Sequence, residues 1–373
     1  MSIDKAAQRA RNMKMSQPEL PIRLQGIHGS PYTRKMLAVL RFRRLPYRFI
    51  INWPQNTDAP GNGEERAKLP RPKVPLLPTV YLPDEAGELQ AVTDTTPIIR
   101  RLEGSFVARS VIPNDPVLGF LNYLLEDYAD EWLTRCMFHY RWAHQPDIDK
   151  AGRILPLYVR VDLSPTELEA MAAQFSKRQI ERLYVVGSSE VTAPVIEASY
   201  LRFLNLMEAH LQSSQFLFGN RPASADFALM GQLSCLTHFD PTPMRLCEQY
   251  APRVYSWVER LEDLCGYEVT EQDWWSQSAS LPGSLIELLR EVARTHMPQL
   301  LANARAVVAT EESFTTEIDG RLWRQPSFRY QLKCLRWTRD EFAALSAADQ
   351  SSARAILEAT GLSPLVDVNI DDA

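Results

Sequence analysis

The chain has 373 residues, 45% of them hydrophobic and 23% charged, and carries a formal net charge of -5. That length points to two or three domains, and the acidic balance argues against a nucleic-acid partner, because phosphate backbones demand a basic face. No apolar run approaches the roughly 20 residues that span a bilayer, and Met1 to Gln17 lacks the apolar stretch of a signal peptide, so residues 1–18 read as a polar tail.

Ile22 to Gly26 alternates apolar and polar, which suits a short strand. In His28-Gly29-Ser30-Pro31-Tyr32, Ser30 is a good helix N-cap and Pro31 a good first helical residue. Tyr32, Met36, Val39 and Leu40 then share one helical face. Arg41, Arg43, Arg44 and Arg48 form a basic run that reads as a solvated helix end. Tyr47 to Asn52, rich in aromatic and β-branched residues, reads as a second strand. Trp53 to Pro78 is proline-rich and irregular, so any helix in it must be short. Thr79 to Leu82 and Leu89 to Val92 read as strands joined by a hairpin loop. Asp94-Thr95-Thr96 before Pro97 and the apolar Ile98, Ile99 and Leu102 looks like a capped helix. The predicted order is β-α-β, a loop, then β-β-α, over residues 19–106.

Residues 115–265 hold helical patterns and no convincing strand set. Candidates are Val117 to Trp142, Glu190 to Leu211, Asp226 to Leu236 and Pro252 to Leu264, so the section reads as all-helical. Residues 266–373 form an extension with helices and a hairpin, the latter signalled by Ile318-Asp319-Gly320-Arg321-Leu322. It can wrap the helical domain, cover a pocket or extend an oligomer interface, and the sequence leaves these open. The fold class is therefore α+β. The cysteines, Cys136, Cys235, Cys247, Cys265 and Cys334, are widely spaced with no C-x-x-C pair, which suits buried thiols in a reducing cytoplasm rather than a zinc or dithiol site.

Ser30-Pro31-Tyr32-Thr33-Arg34-Lys35 is similar to the Ser/Cys-Pro-aromatic motif of the glutathione S-transferase superfamily. Lys73-Val74-Pro75 resembles the family's Val-cis-Pro before the third strand, and Asp94-Thr95 its acidic-Ser pair at the third helix. Phe218-Gly219-Asn220-Arg221-Pro222 with Ala225-Asp226-Phe227-Ala228 is similar to its second-domain signature, and Pro252-Arg253-Val254-Tyr255-Ser256-Trp257 to a later helix start. The resemblance covers about 240 residues. It implies a thioredoxin-like domain, a helical domain, a homodimer, glutathione as co-substrate, and detoxification-type transfer to a small hydrophobic or aromatic electrophile, with ether cleavage or dehalogenation as narrower forms. Ser30 would stabilise the glutathione thiolate, as a hydroxyl at a helix N-terminus can. Tyr32, Lys73, Val74, Pro75, Asp94 and Thr95 would bind glutathione. Ser30, Asp94 and Thr95 also read as plain helix caps. A non-catalytic binding or assembly module is the alternative.

The sequence departs from the family pattern at two points. No cysteine stands at Ser30, which argues against thiol-disulfide chemistry. Ala223 stands where the second-domain capping box has Ser or Thr, so Ser224 is expected to take the cap one residue later. His139, Tyr140, Arg141 and Trp142 are expected to line the acceptor pocket, with helix packing as the competing role. No metal is expected, because neither His139 nor His144 completes an E-x-x-H spacing with an acid.

Overall fold

The computed structural model describes residues 18–52, 63–275 and 281–370. Nearly all of the polar tail and the start of the proline-rich segment lie outside them.

Strand β1 (Ile22–Gly26), helix α1 (Pro31–Phe42) and β2 (Tyr47–Ile51) open the chain, and β1 pairs parallel with β2 in the register Leu24–Phe49. A parallel pair needs a crossover, and α1 supplies it. After the short α2 (Gly63–Ala67), β3 (Thr79–Pro83) and β4 (Leu89–Val92) form an antiparallel hairpin, and β3 lies antiparallel to β1. The sheet order is β2-β1-β3-β4, a thioredoxin-like arrangement closed by α3 (Thr95–Ser105).

The helical domain comes next. Helix α4 (Pro116–Tyr128) runs through one π turn, Ala129–Leu133, into α5 (Thr134–Ala143). Then come α6 (Gln145–Ile154), α7 (Pro165–Ile180), α8 (Ala193–His210), α9 (Ser224–Leu236), α10 (Pro241–Tyr250) and α11 (Pro252–Glu262). Every residue of α9 is buried, so it is the central post of the domain. It leans on α1 at Gly231, where a Cβ would stand 2.6 Å from the carbonyl oxygen of Pro31. That approach fixes the first turn of α1 against the second domain.

Helix α9 corrects the cap expectation. Its N-cap is Ala223, and Asp226 Oδ2 accepts the Ala223 N–H at 2.8 Å while Oδ1 accepts that of Leu217 at 2.9 Å. Ser224 is no cap: its hydroxyl donates to Glu126 at 2.6 Å. Burial pushes the Asp226 carboxyl up to about 7 despite these donors.

The basic run is also corrected. Arg43 is buried, donating to the Phe106 carbonyl and pairing with Glu103 at 3.0 Å. Arg41 donates to the Glu262 carbonyl at 2.9 Å, and Arg44 to that of Cys265 at 2.7 Å. Arg41 and Arg44 thus tie the end of α1 to the second domain, Arg44 from an exposed position, and Arg43 is held within the first domain.

The extension comprises α12 (Gly283–Arg294), α13 (His296–Val308), the hairpin β5 (Ser313–Ile318) and β6 (Arg321–Pro326), α14 (Arg329–Ala343), α15 (Ala347–Thr360) and α16 (Pro364–Asp367). Asp319 and Gly320 both have positive φ, as the tight hairpin turn requires. The extension wraps the helical domain and shares its core. Trp323 is fully buried, its ring 5.6 Å from that of Trp132, and Phe342 packs on Phe120. Gly187, with φ +76, leaves room for Trp323, because a Cβ there would lie 2.2 Å from the indole. Among the described residues no helix is long and apolar enough to cross a membrane.

Candidate functional site

Gly26 ends β1, and the turn through Gly29 delivers Ser30 in extended backbone to the start of α1. Ser30 Oγ accepts the Thr33 N–H at 3.3 Å, a long bond. The first turn of α1 holds no acidic residue, so nothing built into it neutralises the positive end of the helix. Gly29 permits close packing, since a Cβ there would meet Leu155 at 2.6 Å.

Ser30 opens on a cavity of about 570 Å³ between the two domains. Leu77 comes from the segment leading into β3, Phe138 and Trp142 from α5, and Phe175 and Arg178 from α7. Helix α7 buries none of its residues fully, and a reciprocal cap between Ser164 and Glu167 starts it. Phe175 meets Trp142 edge-on at 5.6 Å. Arg178 and Arg182 are exposed at this wall and make no ion pair among the described residues.

Of the residues expected at the site, Ser30, Val74, Pro75, Arg141 and Trp142 line this cavity; Tyr32, Lys73, Asp94, Thr95, His139 and Tyr140 do not. Val74–Pro75 is not the cis bond of this segment, which is Leu77–Pro78, immediately before β3. Lys73 and Val74 are exposed. The Tyr32 hydroxyl donates to the Asp130 carbonyl at 2.7 Å, and burial holds its pKa well above the ordinary phenol value. It serves packing between the domains. Arg141 is fully engaged with Asp240, at 2.9 Å from Nε to Oδ1 and 2.9 Å from Nη2 to Oδ2. Burial opposes its charge, but Asp240 more than compensates, so its pKa is raised. Tyr140 lies in the core, edge-on to Tyr200 at 5.3 Å. His139 is buried on another face of α5, beside Ser188 and Glu197.

Asp94 stands at the start of α3 with φ 81, an uncommon conformation for a non-glycine residue. Its side chain does not cap the helix. Asp94 Oδ2 instead accepts the hydroxyl of Tyr330, from α14 of the extension, at 2.8 Å. Burial raises the Asp94 carboxyl, and the Tyr330 bond opposes that rise. Thr95 is buried. Below them Lys35, fully buried, donates to Glu126 at 2.8 Å and to Asp130 at 2.6 Å, and Thr96 donates to Glu126 at 2.9 Å. This polar cluster joins α1, α3, α4 and the π turn.

Sequence reading missed Phe175, Arg178 and Tyr330. Ser164-Pro165-Thr166-Glu167 carries the capping-box pattern that marks the start of α7. Nothing local marks Tyr330, which lies 236 residues from its partner.

A thioredoxin-like domain feeding an all-helical domain, with a cavity at their junction, is a transferase-type architecture. Residues 24–110 match the family model "Glutathione S-transferase, N-terminal domain", and residues 171–264 match "Glutathione S-transferase, C-terminal domain". The chain belongs to the glutathione S-transferase superfamily. No curated protein matches it. Among solved structures, it is similar to a glutathione S-transferase from Methylobacterium radiotolerans in complex with glutathione sulfonate, at 18% identity and TM-score 0.37, over 69% of this chain and 96% of that one. It is similar to a glutathione transferase family member from Pseudomonas fluorescens with two glutathione bound, at 14% identity and TM-score 0.37, over 64% and 87%. A maleylacetoacetate isomerase from Anaeromyxobacter dehalogenans matches at 13% identity and TM-score 0.34, over 67% and 88%.

Proposed function

We propose that the protein transfers glutathione to a small aromatic electrophile, with Ser30 stabilising the glutathione thiolate. One observation carries this reading: Ser30 caps the positive end of α1 and lines a largely apolar cavity between the domains. A hydroxyl that donates to sulfur, together with the helix end, favours the ionised thiol. The thiol proton leaves to solvent, the sulfur forms a bond to the electrophilic carbon, and the leaving group departs with its electron pair. The backbone of Leu77, which lines the cavity with Ser30, would pair with the cysteine unit of glutathione, and by the family resemblance Asp94 would hold its γ-glutamyl ammonium. Phe138, Trp142 and Phe175 suit an aromatic ring, and Arg178 and Arg182 suit an anionic group on it. A reducing cytoplasm and a homodimer complete the proposal. The first rests on the free cysteines and the second on the family resemblance.

A second reading, a glutathione transferase-like module without catalysis, is favoured by the Tyr330–Asp94 bond, which already engages the carboxylate expected to hold glutathione. Rates with activated aryl halides, measured with and without a ring carboxylate at millimolar glutathione, separate the two. The transferase reading predicts turnover, with the carboxylated acceptor preferred and that preference lost in Arg178→Ala/Arg182→Ala. Absence of turnover together with absence of a thermal shift by glutathione would contradict it.

A further inference from the structure

Sequence spacing gives His139 and His144 no acidic partner, but the fold brings one. Glu197 of α8 approaches the end of α5, and both imidazoles converge on one of its oxygens. His139 Nε2 lies 3.2 Å and His144 Nε2 3.1 Å from Glu197 Oε1. We propose that His139, His144 and Glu197 form a binding site for a divalent transition-metal ion of the zinc type, outside the cavity that Ser30 lines.

Three features support the assignment. The first is distance. Two ligands on one tetrahedral ion with bonds of about 2.0–2.1 Å stand about 3.3 Å apart. The two nitrogen–oxygen separations already have that length, and all three ligand atoms lie within 4.8 Å of one another. The longest edge therefore has at most about 1.5 Å to close, and the His144 side chain is 31% exposed.

The second feature is the support behind the ligands. His139 is 2% exposed, and its other ring nitrogen, Nδ1, is 2.8 Å from Ser188 Oγ. A ligating histidine commonly has such a partner, which fixes the ring and leaves Nε2 for the ion. His144 stacks on Tyr140, with ring centroids 5.4 Å apart and planes 21° apart. The ligands thus come from two regular helices and one helix junction, not from a floppy loop.

The third feature is donor chemistry and access. Two imidazoles and one carboxylate suit zinc, cobalt, nickel or copper, and not calcium or magnesium, which prefer all-oxygen sets. Glu197 is two-fifths exposed on its side chain, so an ion can enter and a fourth position stays open to water. Among the described residues the two imidazoles are the only basic side chains that pair with Glu197.

Cobalt(II) is the direct probe. The full chain, stripped with a chelator, is titrated with Co²⁺ and followed by visible absorption, then challenged with Zn²⁺. The expected result is one equivalent with the intense bands of low-coordinate cobalt, bleached by zinc. His144→Ala and Glu197→Gln, both at partly exposed positions, are expected to weaken Co²⁺ binding at least tenfold while keeping the native circular dichroism. His238→Ala, at a histidine outside the cluster, is expected to bind as wild type. Wild type without saturable one-to-one binding, or His144→Ala and Glu197→Gln binding as wild type does, would overturn the proposal.

Discussion

Replacing Lys35 with Met removes the cation that holds two buried carboxylates. Lys35 Nζ lies 2.8 Å from Glu126 and 2.6 Å from Asp130, with side-chain exposures of 1%, 1% and 11% respectively. Breaking a buried pair from one side costs about 3–5 kcal/mol, because the remaining charge is left uncompensated. Here two charges are left, so the upper half of that range applies near pH 8. The loss depends on pH in a definite direction. Burial already pushes Asp130 up to about 7, with Lys35 opposing and Glu126 adding to the rise. Burial also pushes Glu126 upward, but Lys35 more than offsets it and holds that carboxyl low. Without Lys35 both carboxyls rise. A carboxyl whose folded pKa exceeds its unfolded value near 4 binds more protons when folded. Its contribution is favourable at low pH and is lost as pH climbs through the folded pKa. The deficit of Lys35→Met against wild type is therefore smaller at pH 5.5 than at pH 8. Urea unfolding of both proteins at the two pH values measures it. A loss under about 1 kcal/mol at pH 8, or an equal loss at both pH values, would refute the charge assignment. Lys35→Met/Glu126→Gln/Asp130→Asn should recover most of the stability.

Contacts around the cavity give two more expected outcomes. Tyr330→Phe removes the hydroxyl that donates to Asp94 and opposes the rise of its carboxyl. The loss of one net hydrogen bond of about 0.5–1.5 kcal/mol should weaken glutathione binding about 2–12-fold, measured by calorimetry with kcat retained; tighter binding would mark Tyr330 as a competitor for Asp94. Gly231→Ala sets helix propensity, worth about 1 kcal/mol in its favour, against a contact of 2.6 Å with the Pro31 carbonyl. Overpacking of about 1–3 kcal/mol should win, lowering the unfolding midpoint and raising KM for glutathione. A stabilised variant would show that α9 does not press on α1.

The first domain was legible because its signals are local. Ser30-Pro31 marks a helix start, and Asp319-Gly320 marks a hairpin turn by the same kind of short-range chemistry. Of the cavity's lining, the sequence pointed to Ser30, Val74, Pro75, Arg141 and Trp142 but not to the wall that α7 supplies. Helix α7 buries none of its residues fully, and the signals that mark it are its capping pattern and the stripe Leu168, Met171, Ala172 and Phe175 at helical spacing. His139 to Trp142 are four consecutive residues that go round a whole turn of α5, so only part of the run can face the cavity: Arg141 and Trp142 line it, and His139 and Tyr140 pack elsewhere. Pro75 and Pro78 come after apolar residues in the same irregular segment, and the sequence alone does not say which bond is cis. Tyr330 and Glu197 reach their partners only through tertiary packing.

The central claim is that the Ser30 hydroxyl stabilises the glutathione thiolate. The direct measurement is the thiol pKa of glutathione bound at saturation, read from thiolate absorbance against pH, in wild type and in Ser30→Ala. A hydrogen bond to a charged group is worth about 1.5–3 kcal/mol, and 1.36 kcal/mol is one pH unit. The bound thiol should titrate below the free value near 8.5 in wild type and about 1–2 units higher in Ser30→Ala, with the rate at neutral pH falling in proportion. The same thiol pKa and the same rate in both proteins would contradict the account.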